Sequence, residues 1–231
     1  MCGRFVEYSS ISKIKKAFDI NGVGSLVNTK AHQANYNISP GQNVLSIVNN
    51  NDERILTNLR WGLIPRWAED ERVGYRMINA RAETLLEKRT FKDLFQNKRC
   101  LVVADGFYEW EHRDKEKIPH YFSLKSKDPF AMAGLYEVWQ SPEQRVGKII
   151  SCTIITTKAN KTVKKIHDRM PAIIKPDDYG EWLDCKNYLG EVVQELLEPI
   201  YDKEMTYHEV SKKVNYPKNN SVENIASVNR A

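Results

Sequence analysis

The stretch Val44-Leu45-Ser46-Ile47-Val48-Asn49-Asn50-Asn51-Asp52-Glu53-Arg54-Ile55-Leu56-Thr57-Asn58-Leu59 sets two runs of apolar and β-branched residues on either side of a cluster of Asn and Asp. Such runs favour extended backbone, and Asn and Asp accept the left-handed conformations of a tight turn. The spacing predicts strands over 44–49 and 54–59 joined as a hairpin. Outward from it, similar runs predict strands over 2–8, over 100–110 with a break at Gly106, and over 121–124, 130–139, 149–157 and 205–214. Ser9 and Ser10 can cap a helix through Phe18 with Ile11, Ile14 and Phe18 on one face. Short helices are expected over 79–88, 91–97, 177–183 and 190–197, a helical turn over 163–166, and loops over 21–33 and 36–42. Helices fall between groups of strands with no regular β-α-β alternation. The expected fold is therefore α+β: a single domain over residues 1–231, with a largely antiparallel, barrel-like β core and flanking short helices. Residues 219–231 read as a loose tail.

Composition narrows the function classes. In 231 residues, 28% are charged and 10% aromatic, with a net charge of +5. That is a globular composition, mildly basic and compatible with a polyanionic partner. No apolar run approaches the ~20 residues of a membrane span, and no apolar signal segment follows Met1. Cys2, Cys100, Cys152 and Cys185 are scattered without a C-x-x-C pair, so neither metal nor other cofactor is expected, and a reducing cytoplasm is the simplest location.

Four groups can carry chemistry. Cys2 follows the initiator methionine, and removal of Met1 would leave it with an α-amine and a thiol on neighbouring carbons. That aminothiol can condense with an aldehyde and close a thiazolidine ring. An α-amine titrates near ~7.7–8.0 and a thiol near ~8.5, so both reactive forms exist at neutral pH. A Cys in an ordinary frayed terminus has the same sequence. His167 lies in a loop whose segment from Lys158 to Arg169 also holds Lys161, Lys164 and Lys165 against the single acid Asp168, as in a phosphate-backbone enzyme or a solvated basic loop. Glu109 sits among aromatics in Asp105-Gly106-Phe107-Tyr108-Glu109-Trp110, where a crowded carboxyl acquires a raised pKa. As a strand, this stretch puts Phe107 and Glu109 on one face and Tyr108 and Trp110 on the other. Trp61, Trp67 and Pro40 lie near Arg60, Arg66 and Arg4, a grouping that serves either as core or as a stacking platform for single-stranded nucleic acid. Asn79, at the start of Asn79-Ala80-Arg81-Ala82-Glu83-Thr84, reads locally as a helix N-cap.

The ordered set of motifs resembles the SRAP family, the SOS response-associated peptidase proteins. The resemblance is carried by Met1-Cys2-Gly3-Arg4-Phe5, Tyr36-Asn37-Ile38-Ser39-Pro40-Gly41-Gln42, Trp61-Gly62-Leu63-Ile64-Pro65-Arg66-Trp67, the Asn79–Thr84 stretch, Arg99-Cys100 with the Asp105–Trp110 stretch, His167-Asp168-Arg169-Met170-Pro171, and Val210-Ser211 with Val214-Asn215. Lys88-Arg89-Thr90-Phe91 departs from the family, which often has a Pro after the Lys. The resemblance implies a protein that recognises abasic sites in single-stranded DNA and at single-strand/duplex junctions, linking Cys2 covalently to the ring-opened sugar; a monomer is expected. It implies that Asn79 orients Cys2, Glu109 moves protons during imine formation, and His167 helps open the sugar. Arg4, Arg81 and Arg169 would hold phosphates, with Asn37, Pro40, Trp61 and Trp67 along the DNA. The residues alone leave two other readings open: an N-terminal-nucleophile thiol peptidase or amidohydrolase using the same Cys2, Glu109 and His167, and a non-catalytic single-strand-binding module.

Overall fold

The computed structural model describes residues 2–29, 32–141 and 147–228. Among them, fourteen strands run in chain order: β1 Phe5–Glu7, β2 Gly22–Val23, β3 Asn35–Ile38, β4 Asn43–Asn50, β5 Glu53–Trp61, β6 Asn79–Arg81, β7 Arg99–Ala104, β8 Gly106–Arg113, β9 Glu116–Leu124, β10 Phe130–Trp139, β11 Ile149–Lys158, β12 Arg169–Pro171, β13 Ile173–Ile174 and β14 Met205–Glu209. Four short α-helices join them: α1 Ile11–Ala17, α2 Arg89–Asn97, α3 Tyr179–Leu183 and α4 Gly190–Val193. The fold is α+β with mostly antiparallel pairing, as the sequence predicts.

The hairpin β4–β5 is the spine of the larger sheet, in register from Asn50↔Glu53 to Asn43↔Arg60. Asn51 and Asp52 turn it with φ of 51° and 66°, the left-handed region their short polar side chains tolerate. The sheet runs β12-β11-β10-β7-β4-β5-β2, and a parallel pairing of β11 with β5 at Ser151↔Arg60 and Cys152↔Trp61 brings it round into a ring. A second sheet, in the order β14-β9-β8-β1-β3, packs beside it.

Alternation along the ring strands divides the core. Leu101 and Val103 of β7 and Ala131, Ala133 and Leu135 of β10 face Ile14, Phe18, Leu94, Phe95 and Trp182 from the helices. Their neighbours Cys100, Val102, Ala104 and Met132 face Phe5, Phe107 and Phe122 of the second sheet. Cys2 belongs to this second core, so the chemistry of the N-terminus lies between the two sheets. Gly106 is where the chain passes from one sheet to the other. A Cβ there would stand 2.3 Å from Tyr121 Cε2 and 2.5 Å from the Phe122 carbonyl, contacts that only glycine avoids.

Four local expectations change. The strand expected over 205–214 ends at Glu209, and Lys212–Asn215 forms a 3₁₀ turn that Ser211 caps by accepting from the Lys213 N–H. Residues 79–88 are not a helix: Asn79–Arg81 pairs in parallel with Ile154–Thr156 of β11 and only a 3₁₀ turn, Ala82–Thr84, follows. The helix-forming Ala, Arg, Glu and Leu of this stretch are overridden by an open sheet edge that needs hydrogen bonds. Residues 36–38 are strand rather than turn. Residues 219–228 are held rather than loose. The Asn219 carbonyl accepts from Asn37 Nδ2 and Asn224 Nδ2, His208 Nε2 lies 2.8 Å from the Ile225 carbonyl, and Val210 bridges to Ser227. The remainder of the expected tail, 229–231, lies outside the described residues.

Candidate active site and nucleic-acid interface

Strand pairing assembles the site. Phe5↔Phe107 in the antiparallel pair β1–β8 sends the chain back from Phe5 to Cys2 alongside β8 as it runs on to Glu109. Parallel pairing of β6 with β11 brings Asn79 to the same place, where its Nδ2 donates to the Cys2 carbonyl at 2.8 Å. A 3₁₀ turn, Val163–Lys165, delivers His167, whose backbone N–H donates to the Val163 carbonyl. His167 Nε2 stands 4.0 Å from Glu109 Oε2. His167 Nδ1 lies 3.0 Å from the Arg169 backbone nitrogen and 3.2 Å from the Arg169 carbonyl oxygen, so the Arg169 backbone fixes the ring with Nε2 turned toward the carboxyl. Cys2, Asn79, Glu109 and His167, from four separate parts of the sequence, therefore converge.

Burial sets their protonation. Cys2 is fully enclosed, and desolvation, followed by the charge of Glu109, pushes its thiol well up. Glu109 is 2% exposed, and burial lifts its carboxyl to about 7. Burial also pulls His167 below the ordinary histidine range. Near neutral pH the site thus holds a protonated thiol, a carboxyl near half-protonation and a neutral imidazole: a proton donor and a proton acceptor beside a masked nucleophile. A cleft of about 350 Å³ opens over Glu109 and His167, lined also by Trp110, His112, Lys117 and Asn215. Sequence reasoning passed over His112, Lys117 and Asn215 as site residues; only the Val214-Asn215 motif hinted at the last.

The residues expected along DNA divide into two groups. Arg81 is exposed, and no ion pair or hydrogen bond holds its guanidinium among the described residues. It sits two positions from Asn79 on the same face of β6. Lys158, Lys161, Lys164 and Lys165 are exposed along the segment that leads to His167, just beyond the Thr156↔Arg81 pair. Trp67 is 67% exposed, on a loop whose base is pinned where Gly62, at φ 122°, meets Gly74 backbone to backbone. Pro40 is half-buried.

Trp61 is placed otherwise. It is fully buried, donates its indole N–H to the Ile78 carbonyl at 2.9 Å and packs edge-on against Phe5, leaving no face for a base. Asn37 is also buried: its Oδ1 accepts from Arg4 Nη1 at 2.6 Å and its Nδ2 serves the carbonyls of Val214, Tyr216 and Asn219. Arg4 donates as well to the Val214 carbonyl. Arg169 is gripped by both Glu83 oxygens and donates to the Thr156 carbonyl, and that guanidinium holds the Glu83 carboxyl below its ordinary range.

The family profile described as "SOS response associated peptidase (SRAP)" matches residues 1–217. This chain belongs to the SRAP family. It is 47% identical over 228 residues to the "Abasic site processing protein YoqW" of Bacillus subtilis (strain 168), covering 98% of this chain and all of that one. It is 37% identical over 227 residues to the "Abasic site processing protein HMCES" of Xenopus tropicalis, covering 85% of this chain and 67% of the relative. Among solved structures, the SRAP chain superposes on a Bacteroides thetaiotaomicron protein with a TM-score of 0.84 at 25% identity, covering 94% and 97% of the two chains.

Proposed function

We propose that this SRAP protein processes abasic sites in single-stranded DNA by linking Cys2 covalently to the ring-opened sugar. The observation that carries the reading is the enclosure of Cys2 beside Glu109 and His167, with its carbonyl held by Asn79. A thiol held protonated is a poor direct attacker, which favours the α-amine as the group that meets the aldehyde first. Relatives named for abasic site processing support the same substrate.

The closed abasic sugar is a hemiacetal. His167 moves a proton onto the ring oxygen as the C1 hydroxyl loses one, and the C1 aldehyde is released. Once Met1 is removed, the Cys2 amine adds to that aldehyde. Glu109, protonated in part near neutrality, gives its proton to the departing hydroxyl, and water leaves as the nitrogen returns its remaining proton to the carboxylate and the imine forms. The thiol sulfur then adds to the imine carbon while its proton passes to nitrogen, closing the thiazolidine. No oxidant or reductant is consumed. Arg81, the neighbouring lysines and Trp67 present charge and a stacking face to the strand, Pro40 lies along it, and Arg4 and Arg169 hold phosphates from their anchored positions.

A thiol peptidase or amidohydrolase of the N-terminal-nucleophile kind would use the Cys2 amine as base and the Cys2 thiolate as the attacking group, and burial disfavours that thiolate. A passive strand-binding module would need no enclosed Cys2. The test incubates the Met1-processed protein with single-stranded DNA bearing one abasic site, then runs a denaturing gel. A heat-stable adduct absent with Cys2→Ala is expected, with reversible binding retained. An adduct that persists in Cys2→Ala, or cleavage of a peptide reporter with DNA untouched, would sink the proposal.

A further inference from the structure

The segment from Val214 to Asn219 returns across the site and is fastened at several points. Arg4 Nη1 donates to the Val214 carbonyl at 2.8 Å, and Asn37 Nδ2 lies 3.2, 3.0 and 2.8 Å from the carbonyls of Val214, Tyr216 and Asn219. Val214 itself is fully buried. Asn215 is exposed, yet its neighbours on both sides are fixed and its own side chain is held: Trp110 Nε1 lies 2.8 Å from Asn215 Oδ1. An indole nitrogen can only donate, so the amide atom facing it must be the oxygen. That settles the end-for-end ambiguity of an amide from partner chemistry. What Asn215 can offer a bound molecule is therefore its Nδ2, with two N–H donors.

Asn215 lines the same cleft as Glu109 and His167. The other lining groups are an indole, a carboxyl, two imidazoles and an ammonium, and all but the indole change or carry charge. Asn215 is the amide among them, a donor whose state does not vary with pH. The abasic sugar brings neutral oxygens into this cleft: the ring oxygen, the C1 hydroxyl and, after opening, the aldehyde oxygen. We infer that Asn215 contacts the lesion, donating from Nδ2 to an uncharged oxygen of the abasic sugar, with Trp110 as the positioning residue that aims it. This rests on the abasic-site reading above and adds a specificity-determining residue to it.

The test compares wild type, Asn215→Asp, Asn215→Ala and Trp110→Phe. Single-turnover crosslinking to single-stranded DNA with one abasic site is measured beside reversible binding of the same strand without the lesion. Asn215→Asp keeps an acceptor for the Trp110 N–H, and with it the local packing, but removes the donor. Both Asn215 variants should crosslink roughly tenfold more slowly, the effect of one lost hydrogen bond, with undamaged-strand affinity within about twofold of wild type. Trp110→Phe, which frees the amide to rotate, should fall between. A wild-type rate in Asn215→Asp would reduce the residue to an anchor for Trp110 and overturn the inference. So would an equal loss of undamaged-strand binding, which would mark a general grip on DNA. If wild type itself forms no adduct, the abasic-site reading fails and this assignment with it.

Discussion

Glu109 makes the pH dependence of crosslinking a sharp prediction. Burial lifts its carboxyl to about 7, and a chain-terminal amine titrates near ~7.8. Imine formation needs the carboxyl protonated and the amine free, so the rate follows the product of two fractions that change in opposite directions. With those values the product peaks near pH ~7.4, where about a tenth of the molecules hold both forms. Away from the peak it declines toward roughly tenfold per pH unit on each side. Replacing Glu109 with Gln removes the acid and its titration. The rate at the former optimum should drop by ~10²-fold or more, the contribution of a single general acid. The alkaline decline should vanish, leaving a rate that only rises as the amine loses its proton. The assay is single-turnover adduct formation between pH 6 and 9, quenched and resolved on denaturing gels. A Glu109→Gln protein that keeps the alkaline decline, or a wild-type rate that climbs without a maximum, refutes the assignment of Glu109 as the acid.

Two further outcomes are expected. Glu7 is buried with its Oε2 accepting from the Leu45 N–H, and burial holds it at about 8 against an ordinary 4.5; the folded state keeps a proton that the unfolded chain releases across that window, so stability falls as pH rises through it, by up to about 1.4 kcal/mol per pH unit. Glu109 adds the same sign only up to about 7, so Glu7→Gln should abolish the decline measured by thermal melts between pH 7 and 8, and an unchanged slope there would refute the buried protonated state. Arg81→Ala should reduce the log–log salt dependence of single-strand binding by about 0.7, the share of one phosphate contact, and an unaltered slope would place Arg81 off the DNA path.

What could be read from the sequence had local causes. The Asn-Asn-Asn-Asp turn announced the hairpin β4–β5, Ser10 announced the start of α1, where its hydroxyl accepts from the Lys13 N–H, and the alternation around Glu109 placed it opposite Tyr108 and Trp110. What could not be read was decided by distant partners. Residues 79–81 carry helix-forming composition but become a strand because β11 offers them hydrogen bonds. Trp61 and Trp67 lie six positions apart with similar neighbours; one is the last residue of an inward-facing strand and the other tops a loop. The polar run after Val214 has the composition of a tail, and nothing in it reveals that Asn37, far back in the chain, holds its carbonyls. The motif match brought Cys2, Asn79, Glu109 and His167 together by resemblance; the strand register supplies the physical reason they meet.

The bond between Arg4 and the Val214 carbonyl joins residues 210 positions apart. Contacts of such separation bear the largest loop-closure cost and belong to slow-folding topologies. During synthesis the N-terminal segment leaves the ribosome first, while the strands that flank it and the segment that fastens Arg4 come much later. A chain made only through its first strands therefore carries Cys2 without Asn79, Glu109, His167 or the Val214 carbonyl around it. The enclosure of Cys2 is in this sense a report that the polypeptide has been made through to Val214 and folded, and a fragment released by proteolysis leaves that terminus without its walls.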